Sequence, residues 1–122
     1  MAQHNDTGSW GEQVATEYLI TKGYTIRETD WRCDKVEIDI VAEINRRLVI
    51  VEVKTRSDDF VDPLMAVDVK KQHNLVRAAN AYINYYDLDI DIQFDIITIV
   101  GTRDNYKLEH FPDAFFAPLR TY

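Results

Sequence analysis

The stretch VEIDIVAEINRRLVIVEVK, running from Val36 to Lys54, holds two apolar runs joined by a short polar turn at Ile44 to Arg46. Residues two apart on a strand share a face. Glu52 and Lys54 therefore point one way, and Val49, Val51 and Val53 the other. The second run is apolar on both faces until it reaches Glu52, the pattern of an interior strand covered on both sides. The first run carries an acid in its middle, Asp39. Asp39 and Glu52 lie at comparable distances from the hairpin tip, which predicts that they are neighbours.

Working outward, Trp10, Val14, Ala15, Tyr18 and Leu19 fall at helical spacing between Gly8 and Lys22. Thr7 or Ser9 can cap this helix and Gly23 can end it. Tyr24 to Trp31 reads as an outer strand, followed by a charged turn from Arg32 to Lys35. Beyond Lys54, Thr55 to Asp62 is a polar loop of the kind that borders a site. A long helix follows. It can start at Asp62 and Pro63 or at Asp68, and the preferred reading is a short turn at Pro63 to Ala66, then a helix from Val69 to about Tyr86. Its expected buried stripe is Leu75, Val76, Ala79, Tyr82, Ile83 and Tyr86. Lys70 and Lys71 fall in the first turn, where the helix dipole disfavours cations. Ile90 to Gly101 and Asn105 to Phe111 form a hairpin around Gly101 to Asp104.

This order (helix, three strands, helix, two strands) predicts an α/β fold: a mixed five-stranded sheet flanked by helices. Short turns make the first three strands antiparallel, and the helical crossover makes strands three and four parallel. The chain of 122 residues forms one domain. Its 46% hydrophobic and 29% charged content is that of an ordinary globular protein. No apolar run is long enough to span a membrane, and the polar start MAQHNDTGS lacks signal-peptide design. One cysteine, Cys33, excludes an internal disulfide and a zinc site of paired thiolates. These features favour the cytoplasm. A net charge of −7 means that any binding to nucleic acid must use a local basic patch.

Two adjacent carboxylates repel unless one is protonated or a cation lies between them. Magnesium takes oxygen ligands and keeps several waters. Asp39, Glu52 and the backbone carbonyl of Val53 offer such oxygens, leaving positions for water and phosphate. Lys54 can orient the attacking water or neutralise charge on the phosphate. It can equally be a structural partner of Glu52 or Asp39. Glu37 shares the face of Asp39 and is either a supporting acid or a lysine's partner. His4, His73 and His110 show no ligand spacing and are assigned no metal.

Asp39 followed by Glu52-Val53-Lys54 resembles the D…(D/E)xK motif of the PD-(D/E)xK nuclease superfamily. The chain as a whole resembles the YraN family of small endonuclease-like proteins. That resemblance is carried by His4-Asn5, Gly8, Gly11-Glu12, Gly23-Tyr24, Trp31-Arg32, Glu37-Ile38-Asp39, Val51 to Arg56, Ala66-Val67, Lys71-Gln72, Ala78-Ala79, Phe94-Asp95 and Asp113-Ala114-Phe115. It implies a restriction-endonuclease-like core and a Mg²⁺- or Mn²⁺-dependent endonuclease that hydrolyses DNA phosphodiester bonds, with branched or structured DNA among the expected substrates. Holliday-junction resolvases of this superfamily place a first-helix glutamate at the metal, and Glu12 matches it. Ser9 and Glu12 also fit a capping box, which would turn Glu12 away from the sheet. Thr55 and Arg56 follow the motif and are candidate phosphate contacts, and Lys71 and Gln72 resemble polar positions beside related sites. A homodimer is expected for a four-way junction. A second reading of these residues is a non-catalytic module that keeps the nuclease fold and binds nucleic acid or a protein partner.

Overall fold

The computed structural model describes residues 6–57 and 67–115. Helix α1 (Asp6–Thr21) leads into β1 (Thr25–Cys33), β2 (Val36–Ile44) and β3 (Arg47–Arg56). Helix α2 (Val69–Tyr86) connects to β4 (Asp91–Thr102) and β5 (Asn105–Phe115). The sheet order is β1-β2-β3-β4-β5, with β3 at the centre. All neighbours are antiparallel except β3 and β4, which run parallel from Arg47 with Asp91 to Arg56 with Val100. The expected fold class, element order and interior strand are all present.

The two faces of the sheet hold separate cores. Trp10, Ala15 and Leu19 of α1 cover Ile40, Ala42, Val49, Val51, Ile97 and Ile99. Leu75, Ala78, Ala79 and Tyr82 of α2 cover Val41, Leu48, Ile50, Phe94 and Ile96. β3 thus has apolar side chains on both faces because both are roofed by a helix, and water is excluded from each.

Turn chemistry sets the register. Asn45 and Arg46 both take positive φ, 50° and 63°, so the β2–β3 hairpin closes on a two-residue turn with the twist that strands prefer. Gly23, at φ 95°, ends α1. Its N–H donates to the Ile20 carbonyl and the Tyr24 N–H to that of Leu19. Asp68 caps α2 by accepting from the Lys71 N–H at 2.8 Å. The same helix ends on Asp87 at φ 54°, where the Leu88 N–H donates back to Ile83. A non-glycine residue is strained in that conformation. Asp87→Gly is therefore expected to raise stability by about 0.5–1 kcal/mol in urea unfolding; a loss would show that the aspartate contributes more than its backbone strain.

Five expectations change, the first being that β5 runs on to Phe115 rather than stopping at Phe111. Helix α1 starts at Asp6, so Ser9 and Thr7 lie inside it and neither caps it. The capping box with Glu12 is absent because Ser9 does not stand at the helix boundary. β1 runs on to Cys33, with the turn confined to Asp34 and Lys35. Thr55 and Arg56 belong to β3, since pairing with β4 continues past Lys54. Tyr86 is 39% exposed, and Ala78 joins the buried face in its stead. Tyr86 instead packs on Tyr82 at 4.7 Å and donates to Glu28, while the Arg27 guanidinium lies over both rings. A bulge between Ile26 and Glu28 sets Arg27 apart from the regular ladder, and it also reaches Glu43 at 3.2 Å. The short turn at Pro63 to Ala66, the His4-Asn5 pair and most of the polar loop lie outside the described residues.

Candidate metal centre

β2 and β3 separate at the place where the motif residues sit. Their pairing ends at Ile40 with Val51, although β2 begins at Val36 and β3 continues to Arg56 beside β4. Beyond that point the Val53 N–H has lost its ladder partner. Asp39 replaces it: Oδ2 accepts from the Val53 N–H at 2.8 Å. Amide and carbonyl of one strand residue point the same way, so the Val53 carbonyl also faces the gap. The change of strand direction is visible in the packing, since Ile38 belongs to the α2 core and Ile40 to the α1 core. Regular alternation would have put both on one face.

Three acids meet at this gap. Glu12 of α1, Asp30 of β1 and Asp39 of β2 each offer a carboxylate oxygen, all within 4.8 Å of one another. Glu12 reaches the sheet because α1 approaches β3 closely at its first turns: Gly11 is buried, and any Cβ there would overlap the Thr55 side chain. Asp30 has φ 52°, a left-handed kink inside the edge strand. The pairs Thr29–Ile40 and Trp31–Ile38 bracket it and place it across from Asp39.

Crowding of like charge out of water shifts these groups. Burial, then the neighbouring Glu52, push the Asp39 carboxyl up to about 8, although the Val53 N–H and Lys71 pull the other way. Burial, the hydrogen bond with Asp30 and the charge of Asp39 push Glu12 up to about 9. Burial and mutual repulsion thus favour the protonated forms of both acids as long as no cation lies between them.

Glu52 and Lys54 share a face, as the alternation predicted. Glu52 is 4% exposed and its Oε2 lies 3.3 Å from the Lys71 ammonium and 4.0 Å from that of Lys54. Its other oxygen, Oε1, is buried with no hydrogen-bond partner among the described residues. Such an atom is costly unless a cation or water completes it. Of the remaining candidates, Glu37 lies close enough to Asp39 and Glu12 for its charge to raise both, and Thr55 packs against Gly11 of α1. Glu37 pairs with Arg32 at 3.7 Å, an arginine rather than a lysine. Arg56 is exposed and bonded to the Thr55 carbonyl. The Gln72 amide donates to the Val67 carbonyl at the start of α2.

Asp30 is the member of this cluster that sequence reading missed. Counting back from a two-residue turn at Asp34 and Lys35 puts it opposite Asp39, so the signal was there in the register. His110, assigned no metal on its spacing, is bonded elsewhere. Its Nε2 lies 2.7 Å from Asp95 Oδ2, and Tyr18 meets its Nδ1 at 3.1 Å.

A family model described as "Uncharacterised protein family UPF0102" matches residues 11–99, a span that contains Glu12, Asp30, Asp39, Glu52 and Lys54. A UPF0102 protein of Bacteroides thetaiotaomicron is 47% identical over 120 residues, covering 98% of this chain and 99% of the relative. One from Flavobacterium psychrophilum is 50% identical over 117 residues, covering 95% and 98%. Another, from Phocaeicola vulgatus, is 43% identical over 120 residues, covering 98% and 99%. Among the described residues, no helix is long and apolar enough to cross a membrane.

Proposed function

We propose that this chain, which belongs to the uncharacterised protein family UPF0102, is a divalent-metal-dependent endonuclease acting on DNA. The observation that carries the proposal is the meeting of Glu12, Asp30 and Asp39 where β2 and β3 part, with Glu52 and Lys54 alongside. The donor set is all oxygen, which suits a hard cation such as Mg²⁺ or Mn²⁺ and not zinc. Glu52 Oε1, which has no hydrogen-bond partner among the described residues, is a further fit, because a buried carboxylate oxygen gains most from a cation. Asp39 and Glu12 would hold the metal, with Asp30, Glu52 and the Val53 carbonyl in support. When bound, such an ion supplies Lewis-acid charge at a phosphodiester oxygen and makes a water more acidic.

The chain's own residues provide the rest. The Val53 N–H fixes the orientation of Asp39 on a rigid strand. Lys54 carries a half-buried ammonium from the central strand, suited to orienting a water or meeting charge that develops on phosphate. Lys71 supplies Glu52 with the counter-charge that a cation would otherwise supply. A four-way junction presents two symmetric cuts, and that substrate calls for a two-fold homodimer.

The test is a cleavage panel of linear, single-stranded, flapped and four-way DNA, with Mg²⁺, Mn²⁺ or chelator, alongside Lys54→Ala. Metal-dependent cleavage is expected, with Lys54→Ala slower by roughly 100-fold while metal binding persists. Equal cleavage by both proteins would refute the assignment of Lys54. The second reading, a non-catalytic binding module, is favoured by the double lysine clamp on Glu52, which neutralises that acid within the fold. Calorimetric titration separates the two, since the module binds no metal at millimolar concentration.

A further inference from the structure

Helix α2 is unlike the rest of this acidic chain. Its eighteen residues, VKKQHNLVRAANAYINYY, include Lys70, Lys71 and Arg77 but no aspartate or glutamate, in a protein of net charge −7. Lys70, Asn74, Arg77, Asn80 and Asn84 follow one another at helical spacing along one side. Part of this side faces the β1–β2 turn across a trough with two connected compartments, about 320 and 610 Å³. Asp34, Val36 and Arg77 line both compartments, with Lys35 and Asn74 in one and Asn80 and Asn84 in the other. Arg77 and Lys35 are exposed and form no ion pair with any described residue, unlike Lys71, Lys54, Arg27 and Arg32. The trough starts one turn beyond Lys71, whose ammonium touches Glu52 at the candidate centre.

We propose that this trough binds the phosphodiester backbone of a nucleic-acid strand that continues away from the candidate metal centre. Arg77 and Lys35 contact phosphate, and the asparagine amides donate to phosphate and sugar oxygens. The inference deepens the nuclease reading and rests on it for the position of the reacting phosphate. From Asn74 to Asn84, the part of the helix that lines the trough, the rise is about 15 Å, enough to follow a strand over two or three nucleotides. Two cations without an ion-pair partner among the described residues, set beside neutral amides and outnumbering the single Asp34 carboxylate, suit a polyanion in a chain whose surface otherwise repels it.

The experiment measures anisotropy of a fluorescein-labelled oligonucleotide in chelator, across a salt series, so that no cleavage is required. The Lys35→Glu, Arg77→Glu double variant is expected to bind at least tenfold more weakly. Lys35→Gln, Arg77→Gln is expected to lower the salt slope by about 0.7–0.9 for each phosphate that it no longer neutralises. Arg47→Glu, at the far end of β3, is the charge control and should stay within about twofold. Circular dichroism of the glutamine pair confirms folding. A control loss as large as the double variant's, or no change in the glutamine pair, overturns the trough alone. Wild-type protein that binds no oligonucleotide overturns both readings. Trough-dependent binding without metal-dependent cleavage keeps the trough and refutes the nuclease.

Discussion

Asp39→Asn is expected to abolish stabilisation by Mg²⁺ or Mn²⁺, and with it any metal-dependent cleavage, while making the metal-free protein more stable at pH 8. Asparagine keeps an oxygen for the Val53 N–H and the same volume, so the separation of β2 from β3 survives. It removes the charge that a cation needs. The stability gain follows from the sign of the shift. An unfolded aspartate ionises near 3.8, whereas burial and Glu52 raise the folded carboxyl to about 8. Between those values the folded state binds more protons than the unfolded one, so wild-type stability falls as pH rises through that window. Glu12, raised to about 9, adds a slope of the same sign. Asparagine cannot ionise and loses its share of the slope, a gain of several kcal/mol at pH 8, at about 1.4 kcal/mol for each pH unit between the two values, and close to none at pH 4. Thermal melts at pH 4, 6 and 8, each with and without Mn²⁺, measure both effects. Metal affinity of the wild type should climb with pH over the range in which Asp39 and Glu12 release their protons. A variant stabilised by Mn²⁺ as strongly as the wild type would remove Asp39 from the centre.

The parts of this architecture that were legible in the sequence are those written as local pattern. Helix α2 begins after Asp68 and ends at Tyr86, as capping chemistry and the apolar stripe indicated. The interior position of β3 and the common face of Glu52 and Lys54 follow from alternation alone. What local pattern could not carry is distance across elements. Lys71 meets Glu52 only because the crossover brings the start of α2 back over the sheet. Glu12 had a local explanation in Ser9, and that explanation failed because α1 begins at Asp6, four residues before the first helical position that a cap at Ser9 requires. Asp30 was hidden by a strand boundary two residues short, an error that removed the register placing it opposite Asp39. Tyr86 fitted a helical stripe, yet the helix outruns the core and its ring serves Arg27 instead.

Asp95 gives the sharpest expectation for stability. It matched the family pattern beside Phe94, with no local reason for a carboxylate in so apolar a strand. The structure supplies the reason. Asp95 is 1% exposed, and both its oxygens are occupied. Oδ2 faces His110 Nε2 at 2.7 Å, while Oδ1 accepts from the Gln93 amide at 2.9 Å and the Asp113 N–H at 3.1 Å. The last bond matters for the sheet. The β4–β5 register shifts between Phe94 and Ile96, and Asp113 takes φ 52° there, so its amide needs an acceptor that the ladder does not provide. Asp95→Ala would leave the imidazole, an amide and a backbone N–H without their shared acceptor under α1. Removing one partner from so buried and fully bonded a pair costs about 3–5 kcal/mol, a large fraction of the roughly 5–15 kcal/mol that holds a domain together. Asp95→Asn offers one oxygen and a competing donor, and should cost less, about 2–3 kcal/mol. Urea unfolding of both variants, with His110→Ala and the double variant Asp95→Ala, His110→Ala, tests whether the pair acts as one unit. Strong non-additivity is expected, because the bond between Asp95 and His110 is already lost in either single variant and cannot be lost twice. Additive losses would mean that Asp95 and His110 stabilise the fold independently, with the Asp113 bulge held by the backbone of β5 itself.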